Sequence, residues 1–539
     1  MAGAGMATAE ERVDAVVVGA GFAGLYAAHR LSELGLAVRG FEAGLGVGGT
    51  WYWNRYPGAR CDIESLEYSY QFSDELAREW KWSERYAAQP EILAYLEHVA
   101  DRFDLRRHFR FGHRVGAARY DESTATWAVS TDAGARVRAR FVLLATGCLS
   151  KPNIPKIPGL DSFRGAVHHT GLWPAEGVDV RGLRVGVIGT GSSAVQAIPL
   201  LAEHARRLVV FQRTPTYSVP ARNRPLDPEE ERRVKADYRG FRLRNWRMPF
   251  GAFADQEPRG GSALEASPEE RRARYDTWWE KGGLPFLAAY DDLLVSPEAN
   301  RTAADYIRER IREIVRDPAL AESLLPEQMV GCKRLCIDSG YYETWNREHV
   351  ALVDLRRNPI LGIEAGGVRT RAERFDLDLL VLATGFDAMT GAALAIDLRG
   401  REGRPLREKW ASGPRTYLGL CTAGFPNLFF ITGPGSPSVL ANMVPAIEQH
   451  VNWIADCLAH LGARGLGCIE ARPEAEEAWV EHVNQVAGFT VFPTCNSWYL
   501  GANVPGKPRV FMPYIGFGTY VDRCDEVAEK GYEGFDLRR

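Results

Sequence analysis

Two glycine-rich turns carry the residues whose types and spacing best fit a defined chemistry. The first turn reads G-x-G-x-x-G at Gly19, Gly21 and Gly24, between a β-branched run and a helical apolar pattern. Glycines at this spacing permit a tight turn, let backbone N–H groups approach a pyrophosphate, and allow close helix–strand packing. Glu42 ends the next predicted strand, where a carboxylate can accept a hydrogen bond from a ribose hydroxyl. The pattern predicts a site for FAD or NAD(H).

The segment that follows favours FAD. Residues 48–62 read G-G-T-W-Y-W-N-R-Y-P-G-A-R-C-D. Tryptophan and tyrosine beside a Gly-Gly pair supply flat apolar walls for a large ring system. The alternative is an aromatic-rich loop with a purely structural role.

The second glycine-rich turn differs at the position that reads the ribose. It has Gly189, Gly191 and Ala194, and the strand after it ends in Gln212-Arg213-Thr214 instead of an acid. A carboxylate would repel a 2′-phosphate, whereas Arg213 can pair with it and Thr214 can donate a hydrogen bond. This predicts NADP(H) over NAD(H). The alternative is that Arg213 is a solvated surface residue.

Two different dinucleotide folds in one chain imply that a hydride passes from NADPH to a flavin. Two short strands, at residues 142–147 and 379–385, each run into Ala-Thr-Gly and are expected to carry the chain from one domain to the other. We therefore predict an α/β protein with two Rossmann-like dinucleotide-binding domains and a helical insertion. The predicted parts are an FAD-binding domain at 1–147 and 383–539, an NADP-binding domain at 148–224 and 331–382, and the insertion at 225–330.

Three helix starts characterise the predicted insertion. Asp227, Ser267 and Ser296 are each followed by proline and then by glutamate. A capping side chain, proline at the first helical position and acids in the first turn are typical of a helix N-terminus.

Composition sets the class of protein. The chain has 539 residues, 45% of them hydrophobic, a net charge of −3, and unusually many glycines (54) and tryptophans (14). This excludes a disordered protein, a fibrous repeat, and a protein that binds nucleic acid through bulk positive charge. The longest uncharged run, residues 416–447, is broken by prolines and glycines, which argues against a membrane-spanning helix.

The cysteines and the N-terminus indicate the compartment. The nine cysteines are scattered, with no C-x-x-C motif, so we expect free thiols in a reducing cytosol. The N-terminal M-A-G-A-G-M-A-T-A-E-E-R-V-D-A has no basic segment ahead of an apolar one, so a signal peptide is not expected. We predict a cytoplasmic protein, a monomer or weak oligomer, that binds no metal, membrane or nucleic acid.

A third motif lies between the two glycine-rich turns. Residues 163–174 read F-R-G-A-V-H-H-T-G-L-W-P and match F-x-G-x-x-x-H-x-x-x-W-P through Phe163, Gly165, His169, Trp173 and Pro174. With the 48–62 segment, this motif makes the chain resemble the type I Baeyer–Villiger monooxygenases over almost its whole length. Within that family it most resembles the phenylacetone and steroid monooxygenases.

The resemblance implies a mechanism. NADPH reduces FAD, the reduced flavin takes up O₂, and a C4a-peroxyflavin attacks a ketone to give an ester or lactone while NADP⁺ stays bound. The family's essential arginine matches Arg334 in G-C-K-R-L-C, and Asp62 matches the acid that positions it. A fixed guanidinium suits both a peroxide anion and the charge that develops on a carbonyl oxygen.

The same matching assigns contact residues. For the flavin they are Glu42, Thr50, Trp51, Tyr52, Trp53, Asp62, Tyr68, Val115 and Met443, beside the first glycine turn. For NADP they are Arg60, Gly189, Thr190, Gly191, Ser192, Ser193, Gln196, Arg213, Thr214, Lys333, Arg334 and Trp498. For the substrate pocket they are Cys148, Leu149, Cys336, Ser438, Val439, Leu440 and Met443.

Two assignments stay open. Cys148 replaces an amide side chain of phenylacetone monooxygenase, which puts the polar contacts of the pocket in doubt; we expect aryl-alkyl, linear or bulky cyclic ketones. His169 is expected to couple the domains, with acid–base catalysis as the alternative.

Three other functions compete with the ketone monooxygenase. A flavin-containing N- or S-monooxygenase shares the architecture but usually carries Tyr or Phe where this chain has Trp173-Pro174. A flavin disulfide reductase needs a redox cysteine pair beside the flavin, and only Cys61 follows the Gly-Gly turn. A non-catalytic flavin and NADPH sensor would not need Arg334 and Asp62.

Overall fold

The computed structural model describes residues 10–256 and 260–539. Most of the N-terminal segment on which the prediction of no signal peptide rests, residues 1–9, lies outside the described residues.

The described chain contains both strands and helices, with β-α-β units at both glycine turns, as expected for an α/β protein. The strands are β1 Glu11–Val18, β2 Val38–Glu42, β3 Phe109–Phe111, β4 Val115–Asp121, β5 Thr126–Thr131, β6 Arg136–Leu144, β7 Ala166–His169, β8 Arg184–Ile188, β9 Arg207–Gln212, β10 Ser218–Pro220, β11 Cys336–Asp338, β12 Val350–Asp354, β13 Ile360–Glu364, β14 Gly367–Thr370, β15 Arg374–Asp376, β16 Leu379–Leu382, β17 Asp397–Arg399, β18 Leu428–Phe430, β19 Cys468–Ala471 and β20 Phe535–Arg538. The α-helices are α1 Phe22–Glu33, α2 Thr50–Trp53, α3 Asp74–Glu79, α4 Gln89–Arg102, α5 Ser192–His204, α6 Pro228–Ala236, α7 Tyr238–Trp246, α8 Pro268–Lys281, α9 Pro297–Ile314, α10 Pro318–Leu324, α11 Tyr341–Thr344, α12 Gly391–Leu394, α13 Leu406–Lys409, α14 Met443–Ala463, α15 Pro473–Gly488 and α16 Phe517–Glu529.

The first sheet contains both early and late strands. Its order is β17-β4-β5-β6-β1-β2-β3, and β18 pairs with the second half of β6. β1 pairs in parallel with β2 and β6, while β4, β5 and β6 form an antiparallel meander. Parallel strands buried on both faces are rich in β-branched residues, as in the Val16–Val18 run of β1.

The second sheet is parallel throughout, with strand order β12-β9-β8-β16-β7. The chain leaves the first sheet after β6 and enters the second at β7. It leaves the second sheet after β16 and returns to the first at β17. Both Ala-Thr-Gly segments therefore lie on the two crossings. The finer domain limits given above stay a prediction.

The helix starts predicted for the insertion are confirmed. α6, α8 and α9 begin at the proline after Asp227, Ser267 and Ser296, and each of these side chains accepts a backbone hydrogen bond. Ser267 and Glu270 form a full capping box, which satisfies donors at both positions.

The prediction that all nine cysteines are free thiols is wrong for two of them. Cys332 and Cys495 form a disulfide with a Cα–Cα distance of 6.0 Å, although 163 residues separate them in sequence. Folding brings together two loops whose proximity the spacing of cysteines does not reveal. The other seven cysteines are free and buried.

No helix within residues 10–256 and 260–539 combines the length and the apolar character that crossing a bilayer requires.

Candidate functional site

The first glycine turn is shaped by contacts that leave no room for a side chain. A Cβ on Gly19 would lie 2.5 Å from the carbonyl oxygen of Ala145, and one on Gly24 would lie 1.8 Å from that of Gly19. Gly21 stands at the N-cap position of α1, so no side chain accepts a hydrogen bond from the first N–H groups of this helix, and its first turn contains no acid. The free N–H groups and the positive end of the helix dipole fit a pyrophosphate.

Glu42 completes this turn. Its Oε2 accepts a hydrogen bond from the Ala20 N–H at 2.8 Å, and its Oε1 accepts one from the Gly44 N–H at 2.7 Å. The carboxylate is buried and fixed at the end of β2, and its remaining lone pairs can accept ribose hydroxyls.

The aromatic segment predicted to wall the flavin packs directly on this turn. A Cβ on Gly49 would lie 2.8 Å from the Gly21 Cα, so α2 begins against the pyrophosphate turn. Trp51 is buried and donates from Nε1 to the Tyr68 hydroxyl at 3.2 Å. The Tyr52 hydroxyl accepts from the Leu45 N–H at 3.1 Å. These fixed rings suit a large planar ligand.

The remaining residues matched to flavin contacts lie on several elements. Thr50 is exposed at the start of α2, Trp53 is half-buried at its end, Val115 is buried at the start of β4, and Met443 is half-buried at the start of α14.

The second glycine turn repeats the geometry of the first. A Cβ on Gly189 would lie 2.3 Å from the Ala383 carbonyl oxygen, whereas one on Gly191 would meet no atom within 4 Å. Gly191 caps α5, which again has no side-chain cap and no acid in its first turn. The turn therefore opens onto space beside an uncapped helix start, as a pyrophosphate requires. Thr190 donates to the Thr214 carbonyl at 2.8 Å and ties the turn to the end of β9.

Two cations lie together beside this turn. Burial, and then the positive charge of Arg213, lower the pKa of Lys333. Among the described residues neither Lys333 nor Arg213 forms a salt bridge with an acid. Like charges gathered without a counter-ion fit an anionic ligand group, and a 2′-phosphate is such a group.

Arg334 and Asp62 meet as predicted. Arg334 donates from Nε to Asp62 Oδ2 at 2.9 Å and from Nη2 to Oδ1 at 2.8 Å, and its Nη1 donates to the Val439 carbonyl at 3.0 Å. Burial alone would lower the pKa of Arg334, but the Asp62 charge raises it above the ordinary value, so the guanidinium stays charged.

Tyr499 is a further contact of Arg334 that the sequence did not reveal. The tyrosine is buried, and its hydroxyl lies against the guanidinium. Trp498, its neighbour, is half-buried and packs on the Tyr499 ring with a centroid distance of 4.3 Å. The only signal in the sequence was the aromatic pair itself.

Two residues matched to the substrate pocket, Cys148 and Ser438, are in contact. Ser438 has a positive φ of 44° and donates to the Met389 sulfur, and the buried Cys148 thiol lies against its hydroxyl. A non-glycine residue in this conformation is strained, and such strain concentrates at functional sites. Val439 and Leu440 follow in the same buried turn, and Leu149 is half-buried beside Cys148.

Cys336 lies on the NADP side of this region. Its sulfur is 3.3 Å from the Ser192 hydroxyl. The thiol is free, and burial raises its pKa to about 11. Cys61 is also free and buried. Among the described residues, no second thiol is bonded to it as a disulfide reductase would require.

The third motif packs a linker onto β16. A Cβ on Gly165 would lie 2.3 Å from the Asp378 carbonyl oxygen, which explains the glycine. His169 accepts from the Gly171 N–H at Nδ1 (3.0 Å), so its Nε2 carries the proton and donates to the Gly385 carbonyl (3.1 Å). Burial lowers the pKa of His169. Both ring nitrogens are engaged by backbone at the crossing, which favours coupling over acid–base chemistry. Phe163 and Trp173 are buried on either side, and Pro174 follows.

A clasp between the loop after α2 and helix α5 was not predicted from the sequence. The Tyr56 hydroxyl donates to Gln196 Oε1 at 2.8 Å, and Gln196 Nε2 donates to the Arg60 carbonyl at 3.1 Å. A Cβ on Gly58 would lie 2.5 Å from the Gln196 carbonyl oxygen. The Arg60 side chain itself pairs with Glu84 and the Tyr86 carbonyl. Residues 48–62, called the flavin-side segment from here on, are thus connected to α5, which carries Ser192 and Ser193.

Comparisons with known proteins agree with this architecture. Residues 16–242 match the family model described as pyridine nucleotide-disulphide oxidoreductase. A Baeyer–Villiger monooxygenase of Pseudooceanicola batsensis is 44% identical over 96% of this chain and 95% of its own. A phenazine N-monooxygenase of Lysobacter antibioticus is 42% identical over 97% of each chain. The solved structure of an oxidised steroid monooxygenase bound to NADP is 55% identical, covers 98% of this chain and 99% of its own, and superposes with a TM-score of 0.93.

The two glycine turns without side-chain caps, the fixed aromatic rings, and two cations that form no salt bridge among the described residues fit a protein that binds a flavin and a nicotinamide dinucleotide. The relatives with this architecture are monooxygenases. The full-length relatives make the family specific: the chain belongs to the Baeyer–Villiger monooxygenases. Its cofactors are FAD and NADPH, and the residues at both glycine turns fit them.

Proposed function

We propose that this enzyme oxidises ketones to esters or lactones with NADPH and O₂, and that Arg334 and Asp62 form its reaction centre. FAD, when bound, supplies the redox chemistry. The protein's own task is to hold the nicotinamide and the ketone beside it and to stabilise negative charge. Relatives named for acetone and cyclohexanone oxidation support a ketone substrate.

The observation that carries the proposal is the set of hydrogen bonds made by Arg334. A guanidinium has five N–H donors. Hydrogen bonds to Asp62 and the Val439 carbonyl use three of them. The Tyr499 hydroxyl lies against the same group, so at least one of the two donors that remain on Nη1 and Nη2 is free. Asp62 fixes the plane of the group, so a free donor is preorganised for an anionic oxygen and needs no reorientation when charge develops.

The protein holds NADPH through two cationic side chains and through backbone N–H groups. Arg213 and Lys333 take the 2′-phosphate, and the start of α5 takes the pyrophosphate. The Tyr56–Gln196 clasp then fixes α5 relative to the flavin-side segment. Positioning of this kind lowers the barrier to hydride transfer because the reacting groups are already aligned.

We expect the substrate pocket to accept aryl-alkyl, linear or bulky cyclic ketones. Its matched residues are small or apolar, and Cys148 has a buried thiol where phenylacetone monooxygenase carries an amide. A steroid monooxygenase at 55% identity supports a pocket that accepts large ring systems. O₂ is the co-substrate, and we propose a cytoplasmic enzyme that is a monomer or weak oligomer.

One specific relative favours a second candidate function. The phenazine N-monooxygenase shares 42% identity over nearly the whole chain, so oxygenation of an aromatic ring nitrogen is compatible with this architecture. The two candidates differ in whether the acceptor is an electrophilic carbonyl carbon or a nucleophilic nitrogen.

A product analysis separates the candidates. The FAD-loaded enzyme would be incubated with NADPH and air against a ketone panel, aryl sulfides and aromatic N-heterocycles, with products identified by mass spectrometry. The proposal expects esters from at least one aryl-alkyl or bulky cyclic ketone. N-oxides without any ester would establish the second candidate, and peroxide alone from every compound would contradict both.

A further inference from the structure

The Cys332–Cys495 disulfide joins the two loops that flank the proposed reaction centre. Cys332 directly precedes Lys333 and Arg334, and Cys495 lies shortly before Trp498. Cys332 is fully buried, whereas Cys495 is half-buried. The crosslink therefore connects the loop of the essential arginine to the loop matched to nicotinamide dinucleotide contact.

Both loops leave from the same surface of the helical insertion. The Val330 N–H donates to Asn300 Oδ1 at 2.9 Å, and the Val330 carbonyl accepts from Asn300 Nδ2 at 2.8 Å. The Val491 N–H donates to the Leu294 carbonyl at 2.9 Å. Beyond these anchors, residues 489–516 contain only short 3₁₀ turns, so little regular hydrogen bonding holds this segment.

The loops meet again at the reaction centre. The Tyr499 hydroxyl lies against the Arg334 guanidinium. Arg334 is two residues after Cys332 on one loop, and Tyr499 is four residues after Cys495 on the other. The disulfide at one end and this contact at the other close a small ring. Trp498 and Lys333 are both members of that ring.

We propose that the Cys332–Cys495 disulfide is a positioning device, which holds Trp498 and Tyr499 over Arg334 and thereby retains NADP⁺. The inference rests on the proposed function, because it takes Arg334, Lys333 and Trp498 as parts of the NADP site. A crosslink restricts the conformations that an irregular loop can adopt, so less conformational entropy is lost when the dinucleotide binds.

The bond can be opened without changing the sequence. A small dithiol attacks the disulfide through a thiolate and ends as a cyclic disulfide. The two electrons it gives up, with two protons, convert Cys332 and Cys495 to free thiols.

The test compares closed and open forms of the FAD-loaded enzyme. Non-reducing peptide mapping establishes the crosslink. NADP⁺ affinity is then measured from the perturbation of the flavin absorbance, and amide hydrogen exchange is followed in residues 489–502.

For Cys332→Ser and Cys495→Ser, we expect NADP⁺ affinity to fall about tenfold, exchange in this segment to accelerate, and more NADPH to end as peroxide. Dithiol treatment of the wild type should reproduce these changes and should add nothing in either variant.

Cys468→Ser is the matched control, because it also replaces a buried cysteine but one that is a free thiol on β19. It should leave NADP⁺ affinity and loop exchange as in the wild type. An absent crosslink, or an intact NADP⁺ affinity after the bond is opened, would overturn the inference. Failure of the proposed function is distinguishable: it would show as no ester from any ketone, whereas NADP⁺ affinity and hydrogen exchange are read without turnover.

Discussion

Arg334 and Asp62 form a two-pronged ion pair, with Nε–Oδ2 and Nη2–Oδ1 distances of 2.9 and 2.8 Å, although 272 residues separate them. Asp62 belongs to the aromatic flavin-side segment, and Arg334 belongs to the loop that begins after the insertion. The pair therefore joins the two cofactor regions at the point where the proposed chemistry takes place, and it fixes the guanidinium plane.

Asp62→Asn tests the importance of that fixed plane. The amide can accept only one of the two N–H donors and removes the charge that holds the guanidinium. We expect ester formation to fall about 10²–10³-fold, with NADP⁺ affinity changing much less, measured by product yield and by flavin absorbance titration. Asp255→Asn breaks an equivalent two-pronged pair with Arg244 on the surface of the insertion and should leave turnover unchanged. Equal losses in the two variants would contradict the role of Asp62.

Arg213→Ala tests the phosphate site. Removal of one charged partner of a phosphate costs about 1.5–3 kcal/mol, so KM for NADPH should rise roughly tenfold or more while KM for NADH stays the same. Arg207→Ala changes an exposed arginine at the opposite end of the same strand β9 and should affect neither cofactor. Steady-state kinetics with both cofactors checks this. Parallel losses for NADPH and NADH would contradict the assignment.

Gly58→Ala tests the clasp between the flavin-side segment and α5. The added Cβ would lie 2.5 Å from the Gln196 carbonyl oxygen, at a residue whose φ is +81°. We expect slower flavin reduction by NADPH with FAD still bound, measured by stopped-flow absorbance.

Gly134→Ala separates the clash from the backbone strain. Gly134 has a similar φ of +85°, and a Cβ there would meet no atom within 4 Å. This control should lower stability slightly and leave flavin reduction unchanged. Similar reduction rates in both variants would show that the clasp does not position the nicotinamide.

Glu448→Gln tests a buried acid in α14. Burial raises the pKa of Glu448 to about 7, although hydrogen bonds from the Gln71 and Phe72 N–H groups and the nearby charge of Arg242 lower it in part. The pKa of Glu448 is higher in the folded state than in the unfolded chain. Glu448 therefore contributes fully to the stability of the fold at pH values below its ordinary pKa, and this contribution is lost as the pH rises through 7. The variant should therefore be more stable than the wild type at pH 8, by up to about 3 kcal/mol, and no more stable at pH 5.

Thermal unfolding at both pH values measures this difference. Glu474→Gln, an exposed acid in the first turn of α15, serves as the control and should show no pH-dependent gain. A gain of equal size at pH 5 and pH 8 would mean that Glu448 is ionised throughout.

Local sequence patterns predicted the parts of the structure that depend on short stretches of chain. The glycine turns were predictable because Gly19 and Gly189 must adopt positive φ beside a backbone carbonyl, and their spacing to the next strand is short. The insertion helices were predictable because each carries its cap, proline and acids in sequence. Arg334 and Asp62 were paired only through the family resemblance.

Contacts between distant loops were not predictable. Nothing near Cys332 indicates Cys495 as its partner, because the insertion surface that brings their loops together is built from Asn300 and Leu294. The Tyr56–Gln196 clasp has the same origin, since Tyr56 lies in the loop after α2 and Gln196 lies in α5. Such contacts depend on how whole elements dock.

Oxygen transfer into a ketone is the central claim, and isotope labelling measures it most directly. The FAD-loaded enzyme, NADPH, ¹⁸O₂ and an aryl-alkyl ketone should give an ester that carries one ¹⁸O atom at the inserted position, with none for Arg334→Ala. Peroxide without labelled ester from the wild type, or labelled ester from Arg334→Ala at the wild-type rate, would contradict the account.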